Sequence, residues 1–293
     1  MRRALTAIAA GFLMIAAIAT PARADSSAEA AFRAEQIRLG LKSGVALVFD
    51  QESGEMLYGK NTDEVIPIAS ITKLMTAIVI LDSGVPLLDP VTIERADIDR
   101  YKGSRSKLRV GSTLMRAELL KLALMASENR AAAALARTFP GGAEAFIDAM
   151  NRKAGELGML NSHFVDATGL RPENVATGED LVKLVAAAHD YPIIREYTTA
   201  DSFRVEAESR RHRQVLRYVN SNRLVRSPQW EIGLSKTGYI SEAGRCLVMQ
   251  ARIAERPLII VLLDSWGKLT RIGDANRIRR WIEEDFTRLS VRG

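Results

Sequence analysis

The sequence predicts an α+β fold: an antiparallel sheet flanked by helices, with an all-helical subdomain inserted between its strands. Three observations point there. Two short strand patterns joined by a turn lie near the start, and three longer ones lie near the end. Most of the chain between them has helical spacing. Short connections between the last three strands make them antiparallel neighbours.

The first residues read as a secretory signal. Arg2 and Arg3 form a basic start, Ala4 to Ala19 is an apolar run broken by Thr6 and Gly11, and Ala22-Arg23-Ala24 supplies small residues at cleavage spacing. A cut after Ala24 is expected, leaving residues 25–293 as a single catalytic domain with a helical subdomain over about 86–160. Removing Arg2, Arg3 and Arg23, and no acid, takes the formal charge from +6 to +3. That mild excess makes no case for nucleic acid. The only cysteine, Cys246, excludes an internal disulfide and reads as a small buried residue in a strand. Export without disulfides fits a bacterial periplasm.

Val45 to Phe49 is the first strand, Gln51-Glu-Ser-Gly54 the turn and Glu55 to Tyr58 the return strand. Pro67 to Leu81 follows as a helix with a nearly all-apolar body. Residues 86–106 look irregular, with extended pieces such as Val91-Thr-Ile93. Leu114 to Met125, Ala131 to Phe139 and Ala143 to Leu157 carry helical spacing, the last two closed by Pro140-Gly-Gly and Gly158. His163 to Leu170 is extended and turn-rich. Thr177 caps a helix over 179–189, and extended pieces follow around Ser202 and Gln214. Glu231 to Tyr239, Arg245 to Ile253 and Pro257 to Asp264 are the closing strands. The last helix, Arg271 to Leu289, holds Ile272, Ala275, Ile278, Trp281 and Ile282 on one face. That face is expected on the sheet, with the arginines solvated, rather than on a membrane surface.

Chemistry concentrates at three places. Ser70 and Lys73 are three apart, so a helix brings them together near its first turn. A serine hydroxyl needs an adjacent base, and an amine of depressed pKa can serve. Ser-x-x-Lys also occurs at Ser104/Lys107, in a basic loop, and at Ser265/Lys268, after a strand; neither opens an apolar helix. Ser127-Glu-Asn129 is the only Ser-x-Asn and lies between two helices, where a short loop can present a hydroxyl and an amide. Lys236-Thr237-Gly238 lies on a predicted strand, where lysine offers a cation to a carboxylate and glycine admits a close backbone. Lys42-Ser-Gly44 matches the looser form of that pattern in the wrong order.

The order Ser-x-x-Lys, Ser-x-Asn 57 residues after Ser70, and Lys-Thr-Gly 109 residues after Ser127 is the signature of penicillin-binding proteins and serine β-lactamases. From Val45 to Trp281 the chain resembles the low-molecular-mass penicillin-binding proteins. Leu-Met-Ala-Ser-Glu-Asn-Arg-Ala and Gly-Leu-Ser-Lys-Thr-Gly-Tyr-Ile-Ser-Glu-Ala-Gly-Arg are most similar to the D-alanyl-D-alanine endopeptidase branch. The resemblance implies a DD-peptidase/β-lactamase transpeptidase-like fold acting in the periplasm on peptidoglycan. It implies β-lactam antibiotics as covalent inhibitors, and no cofactor or metal. Ser70 would be the acylated nucleophile and Lys73 its general base, neutral because it is buried beside the cation Lys236. Ser127 and Asn129 would relay protons and position the substrate amide. Lys236, Thr237 and Gly238 would bind substrate, and the backbone N–H groups of Ser70 and Tyr239 would form the oxyanion hole. Only 55 residues follow Gly238, against the second domain usual in carboxypeptidases, so cleavage of D-alanyl–diaminopimelate cross-links is expected. Carboxypeptidase action on pentapeptide stems is the alternative, and a loose membrane or wall-synthase association is left open.

Rival readings are weaker. A class A β-lactamase needs Glu-x-x-x-Asn, whereas Glu173 and Asn174 are adjacent. A Ser-His-Asp hydrolase would need Gly-x-Ser-x-Gly around Ser70, and His163, His189 and His212 read as surface or structural residues. No metal-ligand spacing occurs. A sensor that acylates without turning over is not separable from an enzyme by sequence.

Overall fold

The computed structural model describes residues 39–209 and 212–290. The expected signal segment lies outside them. The chain begins with an antiparallel pair, β1 (Val45–Asp50) and β2 (Met56–Lys60). A two-residue strand β3 (Ile66–Pro67) leads into a 3-10 turn, Ala69–Thr72, and helix α1 (Lys73–Asp82). The next block holds short strands β4 (Pro90–Thr92) and β5 (Thr113–Met115), then helices α2 (Arg116–Met125), α3 (Asn129–Arg137) and α4 (Gly142–Glu156). Between β4 and β5 the block is irregular apart from a 3-10 turn at Arg95–Asp97, and its helices lie between Arg116 and Glu156. After β6 (Val175–Ala176) come α5 (Gly178–His189), α6 (Pro192–Thr199) and the hairpin β7 (Ser202–Ser209) and β8 (His212–Val219). The chain closes with β9 (Glu231–Ile240), β10 (Gly244–Ile253), β11 (Arg256–Ser265) and α7 (Thr270–Ser290).

The main sheet has the order β2-β1-β11-β10-β9, so both ends of the chain build it, as the sequence predicts. Strand β1 runs antiparallel to β11, with Val45 opposite Leu263 and Val48 opposite Ile260. The extended pieces around Ser202 and Gln214 form the β7–β8 hairpin of a separate sheet, β4-β5-β7-β8.

The closing strands are apolar on both faces because both faces are covered. Val45, Leu47, Ile259, Val261 and Leu263 join an inner core with α1 and α5. Their neighbours Ala46, Val48, Leu258, Ile260 and Leu262 join an outer core with Ala275, Ile278 and Ile282 of α7. Period-two alternation thus divides each strand between two cores. Burying Ile278 and Ile282 contributes roughly 1.5–3 kcal/mol each, and Trp281 meets Tyr58 edge-on with centroids 6.4 Å apart. The apolar face of α7 therefore lies on the sheet. Among the described residues no helix is long and apolar enough to cross a membrane.

Two sequence decoys hold this frame together. The buried Asp274 carboxylate accepts from the backbone N–H of Ser43 at 2.8 Å and from its hydroxyl at 2.6 Å, and Ser43 Oγ lies 2.7 Å from Ser265 Oγ. Ser43 and Ser265 thus tie the start of β1 to β11 and α7. Cys246 is buried in β10, and burial pushes its thiol up to about 12.

Candidate active site

The Ser70 segment begins differently from a simple helix. Ile66 and Pro67 pair with Ala176 and Val175, and Ile68 N–H donates to Asn174 O at 3.0 Å. The chain then turns sharply, with Ala69 at φ +47°, and Ser70 falls in the 3-10 turn rather than the α-helix. Lys73 is the first residue of α1. Positive φ at an alanine costs about 1 kcal/mol or more and needs support from elsewhere.

That support comes from residues 163–174. Asp166 accepts from the N–H groups of Thr168, Gly169 and Arg171 at 2.5, 2.7 and 2.9 Å, and from the Thr168 hydroxyl at 2.6 Å. Asn174 is fully buried; its amide donates to Thr72 Oγ1 at 3.0 Å and its carbonyl accepts from Val165 N–H at 2.8 Å. Gly169 sits at φ +75°, and a Cβ there would lie 1.9 Å from Ala69 O. Glycine is required at this crossing. The tight loop aims Thr168 O at α1, where Lys73 is wholly buried.

Lys73 Nζ has three neighbours: Thr168 O at 2.5 Å, Asn129 Oδ1 at 2.7 Å and Ser70 Oγ at 2.8 Å. The first two can only accept. A neutral amine fits this set, giving its two N–H groups to the carbonyls and aiming its lone pair at the Ser70 hydroxyl. Burial pulls Lys73 down to about 7, against the opposing pull of the Asp166 and Glu128 carboxylates. The sequence reading made the neighbouring cation a main cause. The repulsion falls on Lys236, which burial first, and Lys73 second, holds well below the usual lysine range.

Ser127 lies between α2 and α3, as predicted, at φ +59°. Lys236, on β9 and 1% exposed, donates to Ser127 Oγ at 2.9 Å and to Thr237 O at 2.8 Å. Asn129 opens α3 and carries Lys73 on its carbonyl side. Strand β9 passes against the Ser70 turn: a Cβ on Gly238 would stand 3.1 Å from Ser70 N and 3.0 Å from Ala69 Cβ. The three motifs converge on one cleft. Tyr239 follows at its edge, more than half exposed, with the Arg245 guanidinium 4.4 Å from its ring centroid.

A family model described as D-alanyl-D-alanine carboxypeptidase matches residues 30–267. The chain belongs to that family. It is 44% identical to a D-alanyl-D-alanine endopeptidase of Pseudomonas aeruginosa over 97% of this chain and 89% of that one. With an Escherichia coli protein of the same name it shares 40%, over 93% and 87%. The Streptomyces K15 DD-transpeptidase crystal structure superposes with a TM-score of 0.78 at 27% identity, covering 83% of this chain and 98% of that chain. Penicillin-binding protein D2 of Listeria monocytogenes, in its cefotaxime-bound form, gives 0.70 at 28%, over 81% and 95%.

This DD-peptidase uses residues that motif reading passes over. Ser104, set aside as a decoy, accepts from Asn129 Nδ2 at 3.0 Å and fixes which way that amide points. Its loop is shaped by Asp99, which accepts from Ser104 N–H at 2.7 Å. Thr168 and Asp166 lie in a stretch read only as turn-rich. Among the described residues the Ser70 hydroxyl bonds to Lys73 Nζ and to the main-chain carbonyl of Thr168, with no histidine, so a Ser-His-Asp relay lacks its base.

Thr237 Oγ1 donates to Ser221 Oγ at 2.7 Å. Ser221 borders a cavity of about 450 Å³ lined also by Arg223, Arg245, Lys268 and Arg271. The sequence reading left Arg271 among the solvated arginines of the last helix. It is only partly exposed, and its Nε and Nη1 are buried without a hydrogen-bond partner. On the other side of Asn129 a cavity of about 300 Å³ runs between Asp99, Tyr101, Asp166 and Arg171.

Proposed function

We propose that this DD-peptidase hydrolyses the D-alanyl–diaminopimelate cross-links of peptidoglycan through an acyl-enzyme on Ser70. The observation that carries the chemistry is the 2.8 Å approach of Lys73 Nζ to Ser70 Oγ, with carbonyls occupying the other N–H directions of the amine. In this reading Lys73 is the general base. It takes the hydroxyl proton as Oγ attacks the D-alanyl carbonyl carbon. The backbone N–H groups of Ser70 and Tyr239 hold the oxyanion, supported by the close passage of β9 beside Ser70 N. Ser127, bonded to Lys236, relays to the departing amine the proton that Lys73 took from Ser70, so the C–N bond breaks, the leaving strand departs and Lys73 is again neutral. Water then attacks the ester with Lys73 again as base and releases Ser70. Asn129 holds Lys73 and positions the substrate amide.

The carboxylate beside the scissile amide is held by Lys236 and Thr237; Gly238, expected from the sequence to admit a substrate backbone, instead lets β9 close on the Ser70 turn. Burial keeps Lys236 low, and a bound carboxylate brings it the counter-charge that favours its protonated form. The endopeptidase assignment is supported by the names of the two relatives above, which match nearly all of this chain. Removal of residues 1–24 and release into the periplasm belong to the same reading. They are supported by the Arg2-Arg3 start and the Ala22-Arg23-Ala24 segment. The second reading, trimming of pentapeptide stems, is favoured by the carboxypeptidase description of the family.

Labelling with a fluorescent penicillin, with Ser70→Ala as control, tests the nucleophile. Incubation with purified cross-linked dimeric muropeptide and with monomeric pentapeptide tests the substrate. Cleavage of the dimer supports the proposal. A dimer left intact while pentapeptide is trimmed overturns it in favour of the carboxypeptidase.

A further inference from the structure

Four cations line the cavity beside Ser221: Arg223, Arg245, Lys268 and Arg271. Among the described residues none has an acidic partner within 4 Å. The innermost, Arg271, keeps two buried guanidinium nitrogens without any acceptor. Such an arrangement is costly in itself. Buried donors lose water without replacement, and like charges repel; Arg245 and Arg223 both weaken the hold of Arg271 on its proton. Arg223 and Lys268 are exposed at the rim. An anion relieves both penalties, and a guanidinium fork suits a carboxylate.

The cavity continues the catalytic cleft, because Ser221 joins it to Thr237 through one hydrogen bond. Its position therefore concerns the leaving-group side of the reaction. The two candidate substrates differ there in charge. Trimming a pentapeptide releases free D-alanine, with one carboxylate, which the cradle beside Thr237 accommodates. Cutting a cross-link releases a whole stem peptide, which carries further carboxylates beyond the one next to the cut amide.

We propose that Arg223 and Lys268 bind a second carboxylate of the leaving strand and so select cross-linked substrate over free pentapeptide. The inference rests on the endopeptidase reading and names the device that enforces it. Rim cations of this kind act on productive capture and on its salt dependence.

The test compares the mature parent protein with the double variant Arg223→Gln/Lys268→Met on dimeric muropeptide and monomeric pentapeptide. Retained fluorescent-penicillin labelling shows that the variant is folded. The expected result is a fall of about tenfold in the dimer-to-pentapeptide ratio of kcat/KM. It should appear mainly in KM for the dimer, be partly restored by Arg223→Lys, and shrink as salt is raised. Equal losses on both substrates, or no change in the ratio, overturn the proposal while leaving the endopeptidase reading intact. A parent protein that fails to cut the dimer overturns the endopeptidase reading itself and this inference with it.

Discussion

Two groups of cations lie on either side of Thr237, and their surroundings give them opposite properties. Lys73 and Lys236 are 0% and 1% exposed, and each is bound by neutral oxygens. Arg223 and Lys268 stand in water at the rim of an unpaired cluster. Burial without a paired counter-ion turns an ammonium into a base, because the charged form loses more in hydration than neighbouring dipoles and unpaired carboxylates return. An exposed cation suits recognition and steering rather than proton transfer. Under the proposed mechanism the same residue type serves as a base at Lys73 and as a binding cation at Lys268.

The sharpest way to break this comparison is to keep the charge of Lys73 and remove its basicity. Lys73→Arg should lower penicillin acylation by about 10³-fold or more, since a guanidinium stays protonated and cannot accept the Ser70 proton. Labelling kinetics check this, and acylation near the parental rate would remove Lys73 as base. The parent's pH profile sharpens the point. With Lys73 near 7, acylation should level off above that value and fall about tenfold per unit below it, because falling pH protonates the lone pair aimed at Ser70. A rate still rising through pH 9 would mean that burial does not depress the amine.

Support for the buried group should also cost more to damage than support for the exposed one. Gly169→Ala places a Cβ at 1.9 Å from Ala69 O and forces alanine to φ +75°. A loss of about 3 kcal/mol or more in denaturant unfolding is expected, with slower acylation as the Ser70 turn shifts. Unchanged stability would show that residues 163–174 do not hold the turn.

The sheet was legible because its strands alternate between two covered faces and are joined by short turns. The three motifs were legible because their spacing is specific. Local pattern could not disclose the Ser70 turn, since Pro67 to Leu81 reads as one helix. Its first residues are instead drawn out by Asn174 and Gly169, about a hundred residues away in the chain. Ser104 was dismissed because it sits in a basic loop, and only the fold brings that loop to Asn129. Arg271 has the helical spacing of a solvated arginine. Its burial depends on where α7 begins relative to β9 and β10, which periodicity does not encode.

The smallest expected effect lies across the mouth of the cleft. Lys102, on the loop shaped by Asp99, pairs with Glu242 in the turn between β9 and β10. This contact joins the helical side of the cleft to the sheet side. Lys102 also lies 5.1 Å from the Tyr101 ring centroid, so the strap is built from surface contacts only. The pairing raises Lys102 and holds Glu242 down to about 2, yet both side chains reach solvent and salt screens the attraction. Glu242→Gln should therefore change kcat/KM for dimeric muropeptide by less than about threefold. The difference should vanish at high ionic strength, while penicillin labelling keeps its rate. A loss as large as that of the Lys73 variant would mean that the strap organises the site, and that an exposed ion pair here carries what the comparison assigns to buried ones.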